Sequence, residues 1–286
     1  MSSPPFWVAS PSGSREATRV PRRPRRRGRR ARDGARGRLR GRARDDRGCS
    51  GGLSGCTAIA GDGGVREREL PARPTDLDPE TVESYVADYE AVRAHNAHAA
   101  DGATAVTIDA VATFDHRTGD AYHATAQYAG SVSYQDDSGR TVDELDADPT
   151  PYRVTPDRTL RFDARRRTVE AETAADGERV APPLGVRLLN ASGESRELDA
   201  TVSRPAEGET LVSLPVTVPS ASAVELRAIT DVPDSYRVTV RVEADGVTGE
   251  GRIDVGLPGV DRAPNVDVIV ADAGISTRRL PPFDGV

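Results

Sequence analysis

The chain has 286 residues, of which 36% are hydrophobic and only 4% aromatic, and its 45 acids outnumber its 39 basic residues, all of them Arg. No stretch of 18 or more apolar residues occurs, so no segment is long and apolar enough to cross a bilayer as a helix, and two Cys exclude a scaffold built on disulfides. The net charge of −6 hides a partition: residues 1–56 hold 16 Arg and 4 acids, whereas residues 57–286 hold 23 Arg and 41 acids.

At that seam the tetrapeptide Leu53-Ser54-Gly55-Cys56 resembles a lipobox. The resemblance implies cleavage before Cys56 and a lipid on its thiol, with the membrane as partner and the outer face of the cytoplasmic membrane as location. One acyl chain holds a protein marginally and two hold it stably. A lipoprotein signal also needs an apolar stretch before its cleavage site. Residues 20–47 are instead Arg-rich, with Ala31, Ala35, Leu39 and Ala43 as the apolar relief. A genuine basic arm of this composition would bind nucleic acid. A shifted reading frame accounts for it better, because CGC codons read one base later become Ala codons and restore the missing apolar stretch. Residues 1–55 are therefore expected to be a signal or precursor segment, disordered or mis-framed, and no nucleic-acid partner is expected. Cleavage there would also remove Cys49. The acid-heavy remainder resembles secreted proteins of salt-loving archaea, which implies folding in molar salt, where the Debye length is roughly 3 Å.

Residues 56–76 are expected to be a flexible tether. Asp78 then reads as an N-cap, followed by Pro79 and Glu80, and Val82, Tyr85, Val86, Tyr89 and Val92 recur at helical spacing. Asp101 and Gly102 should end that helix. Two period-two strands follow, Val106–Phe114 and Tyr122–Val132. A three-residue loop of Arg117, Thr118 and Gly119 would pair Phe114 with Tyr122 and Ile108 with Tyr128, keeping apolar faces together. Strands over 152–154, 159–163 and 168–172, with Arg165–Arg167 at a hairpin tip, complete a helix-on-antiparallel-sheet domain over 77–181.

Pro182 and Pro183 mark the expected boundary with a second domain, 182–257. Short strands over 184–189, 198–202, 212–218 and 224–228 lead to an alternating run from Tyr236 to Val242. Asp245-Gly246 is a strong two-residue hairpin signal. It sets Tyr236 opposite Val255, Val238 opposite Ile253, Arg237 opposite Asp254 and Arg241 opposite Glu250. This pattern resembles the immunoglobulin-like β-sandwiches, with Tyr236 as the tyrosine corner, although the Cys pair and core Trp of antibody domains are absent. The expected fold class is mostly β: an α+β N-terminal domain, a C-terminal immunoglobulin-like β-sandwich and a C-terminal extension over 258–286.

Chemistry is sparse. His95 and His98 share a helix face, but the chosen hairpin register puts His116 at the tip and His123 on the opposite sheet face, so the four His do not converge on a metal. The acids Asp143, Glu144, Asp146 and Asp148 lack the Gly and terminal Glu of a calcium loop. No nucleophile elbow, phosphate loop or dinucleotide fingerprint occurs, so no catalytic residue, metal or cofactor is assigned. Asn190-Ala191-Ser192 is a glycosylation sequon expected in a surface loop. The favoured function is a lipid-anchored surface module binding a protein or solute. An extracellular hydrolase, with His95, His98 and acids in one pocket, and a nucleic-acid binder with a real basic arm are the alternatives.

Overall fold

The computed structural model describes residues 64–136, 139–244 and 247–283. Cys56, the Arg-rich segment and the turn residues Asp245 and Gly246 lie outside them. One helix, α1 (Pro79–Ala100), precedes β1 (Ala105–Thr118), β2 (Ala121–Asp136), β3 (Gly139–Asp146), β4 (Thr150–Val154), β5 (Thr159–Arg161) and β6 (Asp163–Thr168). There follow β7 (Val186–Asn190), β8 (Arg196–Arg204), β9 (Glu209–Val218), β10 (Ser222–Arg227), β11 (Ser235–Ala244), β12 (Val247–Gly256), β13 (Val266–Ala271) and β14 (Gly274–Arg279). The fold is mostly β.

Helix α1 begins and ends where its residues dictate. The Asp78 carboxylate accepts the Thr81 amide at 2.8 Å, and Pro79 occupies the first turn, where its missing N–H is no loss. At the other end Gly102 takes φ +82°, and the Gly102 and Ala103 amides return to the carbonyls of Ala99 and His98. Val82, Tyr85 and Val86 are buried against Tyr122, Ala124, Ala126, Tyr152 and Val154, so α1 lies across the sheet of β1, β2, β4 and β5, with β3 also paired to β2. Part of the expected tether is held in place. Asn96 brackets Arg68, accepting its amide at 2.7 Å and donating to its carbonyl at 2.8 Å, and His95 Nε2 lies 3.0 Å from the Arg66 carbonyl.

The β1–β2 register differs from the expected one. Phe114 pairs with Ala124 and Ala110 with Tyr128, and the connection is Gly119-Asp120 between the paired Thr118 and Ala121. A bulge between Phe114 and His116 makes this possible. A two-residue turn alone would set the apolar face of β1 beside the polar face of β2. One extra residue, Asp115, restores the match.

Two further sheets follow, β14-β13-β7-β10-β6 and β12-β11-β8-β9. Their inner faces share one core, including Leu184, Val186, Leu188, Val202, Val240 and Val268. The β11–β12 register is the expected one at Tyr236/Val255, Val238/Ile253, Arg237/Asp254 and Arg241/Glu250. The expected seam at Pro182-Pro183 does not divide the sheets. β6, from before it, pairs in parallel with β10, and from the expected C-terminal extension β13 pairs in parallel with β7 and β14 pairs with β13 in the same sheet. Arg165–Arg167 therefore form part of a strand; the hairpin tip of this region is the Thr155–Arg158 turn instead. The outer face of this sheet is covered as well. Leu189, Ala223 and Ile269 pack against Leu160 and Phe162. The layers run α1, first sheet, second sheet, third sheet.

Candidate functional site

Where the first sheet meets the outer face of the second, a group of charged side chains is sealed from solvent. The bulge in β1 turns both Asp115 and His116 to this side, and on β2 the alternate residues Ala121, His123 and Thr125 face the same way. From the second sheet come Arg187 on β7 and Asp267 on β13, which are register partners in parallel strands. Arg187 is 1% exposed and Asp267 fully buried. Arg187 makes a bidentate pair with Asp267, Nε to Oδ1 at 2.7 Å and Nη2 to Oδ2 at 2.8 Å, and Nη2 also reaches Asp115 Oδ2 at 2.8 Å. The loop before β13 adds Arg262, whose Nη1 donates to Asp115 Oδ1 at 2.7 Å and whose Nη2 donates to Thr125 Oγ1 at 2.7 Å. Thr125 in turn donates to Asp115 Oδ2 at 2.7 Å, and His116 Nε2 lies 3.0 Å from Asp267 Oδ2.

Two arginines balance two carboxylates, and every carboxylate oxygen has a donor. Burial alone would raise the pKa of Asp267, but Arg187 beside it and the His116 hydrogen bond outweigh burial and hold it below the usual carboxylate range. Burial would likewise lower that of Arg187, and Asp267 and Asp115 outweigh it and raise it. Charges satisfied in this way offer no free base or nucleophile. Chemically the cluster is a joint between two sheets.

Unsatisfied groups lie next to it. The rings of His116 and His123, cross-strand partners, stack with centroids 4.5 Å apart. Burial first, and then the neighbouring His116, push the His123 pKa down to about 3, so its ring is neutral at ordinary pH. Five buried side-chain polar atoms lack a hydrogen-bond partner among the described residues. Two of them, Arg166 Nε and Arg204 Nε, face carboxylates at 3.2 and 3.0 Å. The other three are His116 Nδ1, Thr118 Oγ1 and His123 Nδ1, all at the turn end of the β1–β2 hairpin. Thr118 and His123 line a cavity of about 190 Å3 with Ala121, Arg153, Ile269 and Ile275. Arg153 also lines a neighbouring cavity of about 390 Å3.

Other buried charges are paired in place. Glu90 of α1, 2% exposed, accepts from Tyr152 Oη and from Arg161 at 3.2 Å, tying the helix to the first sheet. Burial and the Glu90 charge raise the Tyr152 pKa. Glu225, 1% exposed, faces Arg166 at 3.2 Å and Arg227 at 2.7 Å.

The expected residues scatter. His95 holds the Arg66 carbonyl, and His98 Nδ1 meets Tyr134 Oη at 2.9 Å, so only His116 and His123 come together. Among the described residues no group of three or more His, Cys, Asp and Glu is placed to hold a metal. Asp143, Glu144 and Asp146 lie along β3, with Asp143 and Glu144 exposed, and Asp148 faces Arg166 at 3.3 Å. The sequon asparagine is not in a surface loop. Asn190 is fully buried, its amide donates to the carbonyls of Glu194 and Val218 at 2.7 and 2.8 Å, and its Oδ1 accepts from Ser192. In the fold that nitrogen has neither exposure nor a free N–H for a glycan; the residue closes a turn.

Sequence reasoning missed Asp115, Thr118, Arg153, Arg187, Arg262 and Asp267. A signal existed for two of them: Arg187 and Asp267 are single charges inside the apolar runs 186–189 and 266–270. A strand apolar on both faces is covered on both, and a lone charge within it needs a partner. The chain matches no protein-family model, no curated protein and no solved structure.

Proposed function

We propose that this chain is a lipid-anchored binding module on the outer face of the cytoplasmic membrane. Cys56 carries the lipid, and the stacked sheets present a site for a small solute. One observation carries the binding reading: among the described residues, two of the five buried polar atoms without a hydrogen-bond partner, Thr118 Oγ1 and His123 Nδ1, belong to residues that line one cavity. A buried polar group without a partner costs roughly 1–3 kcal/mol, so such a cluster is economical only when something else completes it. The third sheet facing β7 and β10 supports an immunoglobulin-like assignment. So does Tyr236, whose hydroxyl donates at 2.8 Å to the carbonyl of Val232, four residues upstream, as a tyrosine corner does. Such a fold names no activity. The acidic surface fits a protein working in concentrated salt.

Mass spectrometry of protein extracted from native membranes tests the anchoring. The expected N-terminal peptide begins at a lipid-modified Cys56, and Cys56→Ser should move the protein out of the membrane fraction. Abundant Arg-rich peptides from residues 20–47 in a soluble cytoplasmic fraction would instead favour the nucleic-acid-binding arm.

A further inference from the structure

We infer that the cavity between the β1–β2 turn and β13–β14 binds a small carboxylate with a short apolar body. The inference rests on the binding reading above and adds the ligand's chemical class. Its wall has two characters. Ala121, Ile269 and Ile275 give an apolar side. Thr118 and His123 line the cavity too, and Thr118 Oγ1 and His123 Nδ1 are buried with no partner among the described residues. His123 is 1% exposed, so water does not freely complete it.

The charge comes from Arg153. It is half-buried on β4 and, among the described residues, its guanidinium makes no hydrogen bond and no ion pair within 4 Å, whereas Arg161, Arg166, Arg187 and Arg262 each face a carboxylate within 3.3 Å. Asp157 acts on Arg153 only at longer range, and Asp120 and Asp272 line the neighbouring cavity, so the guanidinium keeps donors for an anion that reaches it directly. A cationic ligand would be repelled, and a phosphate would find no use for the isoleucine wall. Size limits the choice further. A cavity of about 190 Å3 exceeds the roughly 150 Å3 that accepts a benzene ring, which points to an acid of about six to ten non-hydrogen atoms.

The probes are butyrate, its neutral analogue butyramide, butylammonium and inorganic phosphate, titrated into the full-length protein by calorimetry and ligand-observed NMR. Butyrate should bind saturably, at least ten-fold tighter than butyramide, with no binding of butylammonium or phosphate. Arg153→Gln should abolish the preference for the acid over the amide while moving the melting temperature little at pH 7, since among the described residues Arg153 touches no carboxylate directly and His123 is neutral there. Thr118→Val should weaken butyrate several-fold. Equal binding of acid and amide, tighter binding of phosphate, or a preference that survives Arg153→Gln would overturn the carboxylate assignment yet leave a binding module. No saturable binding of any probe would overturn both, identifying the cavity as filled by water. Membrane anchoring is read separately by fractionation and is unaffected by either result.

Discussion

The same pair of ion types does opposite jobs in two parts of this molecule. Between the first and second sheets, Arg187 and Arg262 bind Asp115 and Asp267, residues at most 7% exposed. On the open face of the third sheet, Arg237 meets Asp254 at 2.7 Å and Arg241 meets Glu250 at 2.8 Å, with carboxylates 59% and 40% exposed. Distances do not distinguish the two sets. Solvent does. In water the charges keep their hydration and their attraction is screened. In the buried joint each charge has lost its hydration, and its partners are all that offsets the loss. A contact of good geometry is therefore weak evidence of stabilisation until burial is known, while removing one member tells the two cases apart.

The largest effect should come from Asp267→Asn. It leaves Arg187 buried with half its bidentate pairing lost and an amide nitrogen facing its guanidinium or His116. Breaking one side of a buried pair costs about 3–5 kcal/mol, measurable as a lowered midpoint in denaturant unfolding with unchanged slope. A loss below about 1 kcal/mol, the range of exposed pairs, would mean that water reaches the joint.

The next effect separates the joint from its neighbouring cavity through pH. His123 has a folded pKa of about 3 against an ordinary value near 6.5, so the folded state resists a proton that the unfolded state accepts. Stability is unaffected above that ordinary value and falls as pH drops toward the folded one, by about 1.4 kcal/mol per pH unit once well inside the window. Burial, the His116 ring and Arg153 oppose protonation of His123, while Asp267 and Asp115 favour it. Asp267 acts in a lower window: its depressed pKa contributes stability above the ordinary carboxylate value of about 3.9, lost only as pH falls further. Denaturant unfolding at pH 7, 6 and 5 should thus show a slope in the native protein that His123→Gln reduces. Equal slopes would place solvent against the ring.

The contrast also explains what was legible in the sequence. Local rules gave the helix, because Asp78, Pro79 and Gly102 act on backbone groups within a few residues of themselves. They gave the β11–β12 register as well, since alternation and charge complementarity across one hairpin agree at Tyr236, Arg237, Val238 and Arg241. Reasoning by parity kept apolar facing apolar on β1 and β2 but supplied it with the wrong turn, because a single-residue bulge satisfies parity equally and leaves no mark of its own in the sequence. The joint was invisible for a different reason. Arg187 and Asp267 are 80 residues apart and meet only because β7 and β13 are parallel neighbours. With 77–181 and 182–257 taken as separate domains, nothing supplies a cover for the face that carries them. The cavity shared that fate, since its walls come from β1, β2, β4 and β13–β14 across the expected seam.

The smallest effect should come from the exposed pairs. Arg241 and Arg237, as hydrogen-bond donors and nearby charges, hold Glu250 and Asp254 below the usual carboxylate range. Folded pKa values depressed in this way contribute stability above the unfolded values that is lost as pH falls. At a fully solvated site, however, the pairing competes with water, salt and the entropy of two long side chains. Arg241→Ala should therefore return the Glu250 titration, followed by NMR, toward its ordinary value in dilute buffer, yet leave the unfolding midpoint unchanged in molar salt. Cross-strand packing of Tyr236, Val238 and Val240, not the charges above it, holds β11 in place, because those residues are at most 1% exposed. If Arg241→Ala lowered the midpoint as far as Asp267→Asn, and did so in molar salt, burial would cease to be what separates the two regions, and the third sheet would depend on its surface charges for its register.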